Sequence, residues 1–445
     1  MNLEKQFIEF IQSENLFRPT DSLLLAVSGG IDSVVLCELC KNTGYDFSIA
    51  HGNFQLREDE SERDEQYVES LAARYEVKLY KKRFATIAYA NTHKISIQVA
   101  ARQLRYDWFN EIVESWQNTT GNFILTAHHL DDNIETQLMN FFKGTGIAGL
   151  RGILPKSGKI VRPLLFAKKN DLRQYASEHD LKWVEDSSNS SDKYSRNYFR
   201  HHIIPLVEQI YPEAINNLAD NIERLRETEQ VYRSAVNLQI KKLVTQRLNE
   251  AHIPVLKLLH TIPLKTIAYE IIKQYGFNSK QVDDLISLLH ADSGKYIVSD
   301  THRILRNRAW LIISPLQEKN IENVLIEENQ TTVLFQQGIL KVNNFPATGY
   351  KLPLSADIAG LDSSSIKYPL LLRKWKKGDY FYPLGMQKKK KLARFFIDQK
   401  LSLNEKENVW VIEMNKKIIW VVGRRIDDRF KVNPQTKNIL QLSIQ

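Results

Sequence analysis

The sequence predicts an α/β fold: a doubly wound parallel sheet at the N-terminus, then a helical middle domain and a small α+β C-terminal domain. Three observations carry this expectation. Short apolar runs alternate with helix-length amphipathic stretches over residues 23–179. A polar, double-glycine turn joins the first such pair. From residue 333 onward the pattern becomes β-rich. Strand–helix alternation of this kind builds a parallel sheet with helices on both faces.

Leu23-Leu24-Leu25-Ala26-Val27 is the first strand, a short buried apolar run. Val34 to Leu39 resumes as a helix. Phe47 to His51 is the second strand. Glu62 to Tyr75 reads as a helix with Tyr67, Val68, Leu71 and Ala72 on one face. Val77 to Tyr80 is a third strand, Ile97 to Trp116 a long helix, Phe123 to Ala127 a fourth strand and Asp131 to Phe142 a helix. Ile160 to Leu164 and Lys169 to His179 complete the series. Ligands of such sheets bind beyond the carboxyl ends of the strands. The glycine turn, His51 and His128-His129 all follow strands and are expected to meet there.

The alternation stops near Ile210-Tyr211-Pro212. Glu213 to Val244 reads as one polar helix, with Pro263 to Tyr275 and Ser279 to His290 as shorter ones and small strands at Tyr296-Ile297-Val298 and Trp310 to Ile313. The expected divisions are a catalytic domain over 1–210, a helical domain over 211–315, a polar linker over 316–332 and a basic domain over 333–445.

At 445 residues the chain has room for two or three domains, and 43% hydrophobic with 25% charged residues is ordinary for a folded soluble protein. The net charge of +9 (61 basic, 52 acidic) is compatible with a polyanionic partner. No apolar run approaches a membrane span, and Met1 to Ile8 is too mixed in charge for a signal peptide, so a cytoplasmic location is expected. Cys37 and Cys40 are no disulfide framework.

The chemistry begins at Ser28-Gly29-Gly30-Ile31-Asp32-Ser33. A strand, a glycine turn and a helix N-terminus make an anion site, because backbone N–H groups and the helix dipole both favour negative charge. Gly29 and Gly30 allow close backbone approach. Ser28 and Ser33 add hydroxyl donors. Asp32 is a carboxylate beside a phosphate pocket, which suits a bridging Mg²⁺. The turn lacks the Gly-Lys-Ser/Thr ending of a Walker A loop. It resembles the pyrophosphate (PP) loop of N-type ATP pyrophosphatases, which cleave ATP between the α- and β-phosphates. That resemblance makes residues 28–33, Ile31 included, the expected ATP-binding segment.

Asp132 and Glu135, three apart, share a helix face just after His128-His129. They could hold Mg²⁺ or a cationic substrate, or serve only to cap the helix. The cluster lacks the ligand types and spacing of a zinc site. Lys143 to Leu150, with Gly144, Gly146 and Gly149, is either a C-cap and loop or a loop closing over nucleotide or RNA. Arg102 with Arg105, and Arg196 with Arg200 after the polar Asp186-Ser187-Ser188-Asn189, have spacings that suit either a solvated surface or phosphate binding. In the tail, Arg373, Lys374, Lys377 and the run Lys388-Lys389-Lys390-Lys391 interleave with Trp375, Tyr380, Phe381 and Tyr382. This pattern fits RNA phosphate contact with some stacking, or a solvated lysine-rich face.

Taken in order, Ser28 to Ser33, His51-Gly52 with Leu56-Arg57, Ala101-Arg102 with Arg105-Tyr106, His129-x-x-Asp132 with Glu135, Gly144-Thr145-Gly146 with Gly149-Leu150, and Arg196-Asn197 with Arg200 resemble the bacterial tRNA(Ile)-lysidine synthetases. The likeness covers about residues 20–210 and resumes at Arg373 to Asp379 and Trp420 to Asp427. Asn53 stands where the family commonly has a second histidine. The resemblance implies adenylation of the C2 oxygen of the wobble cytidine in an isoleucine tRNA with a CAU anticodon. Displacement of AMP by the ε-amine of free L-lysine follows. It also implies ATP and Mg²⁺ as cofactors and tRNA, rather than DNA or a membrane, as partner. Asp32, His129, Arg105 and Arg200 become the expected catalytic residues, with Asp32 the metal ligand and Asp132 and Glu135 the receivers of lysine. Arg196, Arg373, Lys374, Lys377 and Lys388 to Lys391 become the expected tRNA contacts. The rival within the superfamily is a tRNA thiolase, which Cys37-x-x-Cys40 fits superficially. A small-molecule synthetase would leave the basic tail without a purpose, and a non-catalytic RNA binder would not need an intact loop.

Overall fold

The computed structural model describes residues 2–56, 58–117, 121–185, 195–316, 323–348, 350 and 355–445. The chain divides into two compact units, Met1–Ser234 and Ala235–Gln445.

In the first unit the order is α1 (Leu3–Ser13), β1 (Ser22–Ala26), α2 (Ile31–Asn42), β2 (Phe47–Asn53), α3 (Glu58–Tyr75), β3 (Leu79–Arg83), α4 (Thr86–His93) and α5 (Ile97–Glu114). There follow β4 (Asn122–Leu125), α6 (Leu130–Lys143), α7 (Ile147–Leu150), β5 (Lys156–Ser157), β6 (Ile160–Val161) and α8 (Lys169–Glu178). After the undescribed stretch 186–194 come α9 (Ser195–Tyr198), a π-helical turn (Phe199–Ile203), α10 (Ile204–Ile210) and α11 (Ala214–Leu243). The boundary between the units falls inside α11.

The sheet runs β3-β2-β1-β4-β6-β5, parallel except for β5. It is doubly wound, as expected, because consecutive residues of β1 point to opposite faces. Leu23 and Leu25 pack with Phe7 of α1, Val35 and Leu39 of α2, and Leu172 of α8. Leu24 faces the other way, onto Trp108, Phe109, Ile112 and Val113 of α5. From β1 the chain steps to β2 and β3 on one side and then crosses to β4 on the other. The strand order therefore reverses between β1 and β4, and the carboxyl ends of those two strands flank the crevice where such sheets bind ligands. His51 departs from its expected place at a strand's end. It lies inside β2, buried, with Nδ1 2.8 Å from the Val27 carbonyl. It ties two strand ends together.

In the second unit the helical middle region carries helices Val255–Leu259, Leu264–Ile272 and Gln281–His290, and it also carries a five-stranded antiparallel sheet. Its strands stand in the order 245–247, 250–254, 310–315, 302–307, 296–298. Within the expected linker, Val324–Ile326 pairs with Leu370–Lys374, so this part belongs to the C-terminal module; residues 317–322 lie outside the described residues. That module packs a five-stranded and a four-stranded antiparallel sheet around Leu340, Leu361, Leu372, Trp410, Trp420 and Leu440.

Two of the expected tRNA contacts change meaning here. Arg373 is buried. Its Nε donates to Glu413 (2.7 Å), while Nη1 and Nη2 donate to the two oxygens of Asp379 (2.8 and 3.0 Å). Its charge is spent inside the module, so it cannot reach a phosphate. Lys374 is half-buried, donates to Asn408 Oδ1 (2.9 Å) and lies over the Trp410 ring. Lys377, Lys388, Lys389 and Lys391 are exposed, whereas Lys390 pairs with Asp398 at 2.7 Å. The Arg373-to-Asp379 motif is thus a structural signature. Removing one partner of a buried, hydrogen-bonded pair leaves an uncompensated charge and costs about 3–5 kcal/mol. Arg373→Ala is expected to destabilise the C-terminal module by that order. Denaturant unfolding followed by tryptophan fluorescence would check this, and unchanged unfolding would return Arg373 to the surface contacts.

Candidate active site

The turn after β1 is built as an anion cradle. Gly29 has φ +91°, a conformation that favours glycine, and Gly30 is the N-cap of α2. Ser33 Oγ donates to the Gly30 carbonyl at 2.8 Å, and Ser28 Oγ lies 3.4 Å from Ser33 Oγ. The turn is thereby fixed from within while Ser28 stays exposed. Asp32, in the first turn of α2, is half-buried at the mouth of the crevice.

The carboxyl end of β4 delivers the opposing residues. His129 is the N-cap of α6, and its backbone N–H donates to Asp132 Oδ2 at 3.2 Å. The buried imidazole sits among three carboxylates: Nδ1 is 3.3 Å from Asp131 Oδ2, and Nε2 is 3.6 Å from Asp132 and 3.8 Å from Asp32. Burial alone would lower its pKa, but the three carboxylates outweigh burial and hold the imidazolium above the usual 6.5. His128 goes the other way. Burial pushes it down to about 4, and its Nδ1 lies 2.9 Å from Thr126 Oγ1.

On α6, Glu135 is fully buried and faces Arg200, whose Nε and Nη2 donate to its two oxygens at 2.6 and 3.1 Å. Arg200 Nη2 also reaches Asp132 Oδ1 (3.3 Å). Arg196 Nη2 donates to Thr136 Oγ1 at 2.6 Å, with Nε 3.5 Å from Glu135. Arg200 sits in the π-helical turn, a feature frequent at functional sites. The resemblance makes Glu135 a receiver of lysine; in this structure its oxygens accept from Arg200. Asp132, which also contacts Arg200, keeps some exposure.

Arg105 places its guanidinium 5.0 Å over the Phe54 ring, and Arg102 lies over Tyr106. Gly144 is the left-handed C-cap of α6, as one of the two readings of that loop required. Cys37 and Cys40 are fully buried in the core against α2's neighbours, and burial pushes both thiols up. A nucleophilic thiolate is the form least favoured there. Arg57 and residues 186–194 lie outside the described residues.

Sequence reasoning missed two residues. Lys169, the first residue of α8, places Nζ 2.5 Å from Asp32 Oδ1, and its backbone N–H donates to Asp131 Oδ2 at 2.9 Å. Arg162, just past β6, is buried and donates from Nη1 to the Leu154 carbonyl at 2.7 Å. The signal was present as Arg162-Pro163 and Lys168-Lys169 flanking the last strand–helix connection, but nothing local tied either to the glycine turn.

Comparison with known proteins decides what the crevice belongs to. The PP-loop domain family matches residues 1–207, the TilS substrate binding domain matches 246–316, and the TilS substrate C-terminal domain matches 370–444. The chain is similar to the tRNA(Ile)-lysidine synthase of Parabacteroides distasonis, at 37% identity over 97% of both chains. It is similar to that of Bacteroides thetaiotaomicron at 34% over 98% of this chain and 99% of the other. The likeness to that of Porphyromonas gingivalis (strain W83) is 32%, over 95% and 94%. This chain belongs to the tRNA(Ile)-lysidine synthase family. As a family member it carries an ATP-using PP-loop domain. Among the described residues no helix is long and apolar enough to cross a membrane.

The raised His129 makes a pH signature. A histidine charged more readily in the folded than in the unfolded chain stabilises the fold fully below pH 6.5, and that contribution is lost as pH rises through the folded-state value. His129→Gln is therefore expected to be less stable than wild type near about pH 6, with the gap narrowing toward about pH 9. Thermal unfolding of both proteins across that range measures it; a gap that widens with pH would mean His129 is neutral in the cluster.

Proposed function

We propose that the protein uses ATP to adenylate the C2 oxygen of the wobble cytidine in an isoleucine tRNA with a CAU anticodon, and then joins free L-lysine to that carbon. The observation that carries this reading is an intact phosphate turn at the strand-order reversal of a chain that matches lysidine synthases from end to end. The nucleotide's phosphates would lie on the Ser28–Ser33 turn and the N-terminus of α2. Mg²⁺ would be held by Asp32 together with those phosphates. No group of three or more His, Cys, Asp or Glu able to hold a metal occurs among the described residues, which suits an ion bound by one carboxylate and substrate oxygens. The metal, when bound, neutralises phosphate charge.

Cytidine O2 attacks the α-phosphorus and pyrophosphate leaves. His129, whose pKa the surrounding carboxylates raise, supplies positive charge beside the phosphates, and Arg200, whose side chain keeps some exposure, presents its charge to the adenylyl group from its place on Glu135. The lysine amine then attacks C2, and AMP departs with the original oxygen. Asp132 is the partly exposed carboxylate that can face the ε-ammonium and take a proton from it. The geometry of the thiols disfavours the thiolase alternative: Cys37 and Cys40 lie in the core.

Incubation with ATP, labelled lysine and unmodified isoleucine tRNA, followed by nucleoside analysis, is expected to yield lysidine with one AMP and one pyrophosphate per turnover. Asp32→Asn should lower the rate by at least about 10²-fold while tRNA still binds, as for loss of a preorganised electrostatic group. Sulfur incorporation, or binding without AMP release, would overturn the reading.

The exposed lysines of the tail are read as phosphate-binding groups. Replacing Lys388, Lys389 and Lys391 together by alanine should weaken tRNA binding and flatten its salt dependence by roughly 0.7–0.9 log units per log[salt] for each phosphate no longer neutralised. The dissociation constant measured across a salt series tests this. An unchanged slope makes the run a solvated face.

A further inference from the structure

The glycine turn lacks the lysine that a Walker A loop carries for the outer phosphates. The fold brings one from 137 residues away: Lys169 Nζ stands 2.5 Å from Asp32 Oδ1, at the first turn of α2. Three features aim it there. The Leu130 N–H donates to the Ala167 carbonyl (2.9 Å), and the Lys169 N–H donates to Asp131 Oδ2 (2.9 Å), so the start of α8 is pinned to the start of α6. On the far side, Leu172, Tyr175 and Ala176 of α8 are buried in the same core as Val35, Leu36 and Leu39 of α2. The side chain is about three-quarters buried, with its ammonium at the mouth of the phosphate turn.

An ammonium there does different things in the empty and the loaded site. With no nucleotide, it neutralises Asp32, whose other oxygen faces His129 at 3.8 Å. With nucleotide, the phosphates compete for it with more charge than a single carboxylate has. We propose that Lys169 is the pyrophosphate-binding cation of this site, leaving Asp32 for a phosphate oxygen when ATP enters and so freeing the carboxylate for the metal. As cytidine O2 bonds to the α-phosphorus, the bond from that phosphorus to the bridging oxygen breaks and its electron pair goes to the pyrophosphate. Lys169 meets that growing charge, which is where a fixed cation accelerates the step. The inference rests on the adenylation reading given above.

The test uses the full-length protein with Lys169→Met and Lys169→Arg, and inorganic pyrophosphate as a probe that needs no turnover. Lys169→Met is expected to weaken pyrophosphate binding by roughly 10- to 100-fold, the range of one charge-assisted hydrogen bond. tRNA affinity should stay unchanged, and Lys169→Arg should recover most of the loss. Equal pyrophosphate affinity in wild type and Lys169→Met would overturn the proposal and leave Lys169 a structural partner of Asp32. So would a loss shared by pyrophosphate and tRNA alike, or one that arginine does not recover. If wild type binds pyrophosphate through Lys169 but makes no lysidine, the failure belongs to the substrate assignment and not to Lys169.

Discussion

Four carboxylates converge where strands β1 and β4 end, and the construction of the site follows from keeping them together. Asp32 comes from α2; Asp131, Asp132 and Glu135 come from α6. Like charges this close raise one another's energy, and burial removes the water that would screen them. Each is matched by a basic side chain: Lys169 on Asp32, His129 among Asp32 and its own helix's Asp131 and Asp132, Arg200 on Glu135 and Asp132, Arg196 beside Glu135. These pairings draw α6, α8 and the α9 segment to the end of the β1–α2 turn. The site is therefore also a hub that binds the last third of the catalytic unit to its first strand.

The same pairing explains which half of the site is rigid. Glu135 lies fully buried with both oxygens engaged, and Arg200 approaches it from a π-helical turn. Asp32 and Lys169 are only partly buried. Ion pairs near water are weak and exchange partners readily, whereas buried ones hold geometry. A nucleotide entering beyond the strand ends meets the exchangeable pair first.

Much of this was legible in the sequence where the signal is local. The strand–turn–helix at Leu23 to Leu39 has an apolar run, two glycines and a capped helix within seventeen positions, so both its shape and its anion preference could be read directly. The alternation that produced the doubly wound sheet was equally plain. What stayed hidden depends on distance. Lys169 acquires its meaning only from the docking of α8 on α6, and Arg373 loses its expected one because Asp379 and, forty residues on in the neighbouring strand, Glu413 both accept from it. Composition counts charges but cannot see them paired. Part of the middle region's sheet escaped for another reason: Tyr296–Val298 and the strand at Trp310 were legible, but Thr245–Arg247 has three residues and little alternation to detect.

Charge balance also constrains how the site can work. The four carboxylates are faced by four basic side chains, Lys169, His129, Arg196 and Arg200. A nucleotide triphosphate is more negative than one divalent ion can offset, so beyond the backbone N–H groups of the glycine turn it would draw on these same cations. Under the function proposed above, part of the binding comes from exchange, in which a cation leaves a carboxylate for a phosphate and the carboxylate takes something positive in return. In that proposal two carboxylates would make the trade: Asp32, turning to a metal, and Asp132, turning to an ammonium. The first exchange suits adenylation and the second suits attack by an amine. A site with fewer carboxylates would hold ATP more tightly at rest, but it would have nothing with which to receive a cationic second substrate.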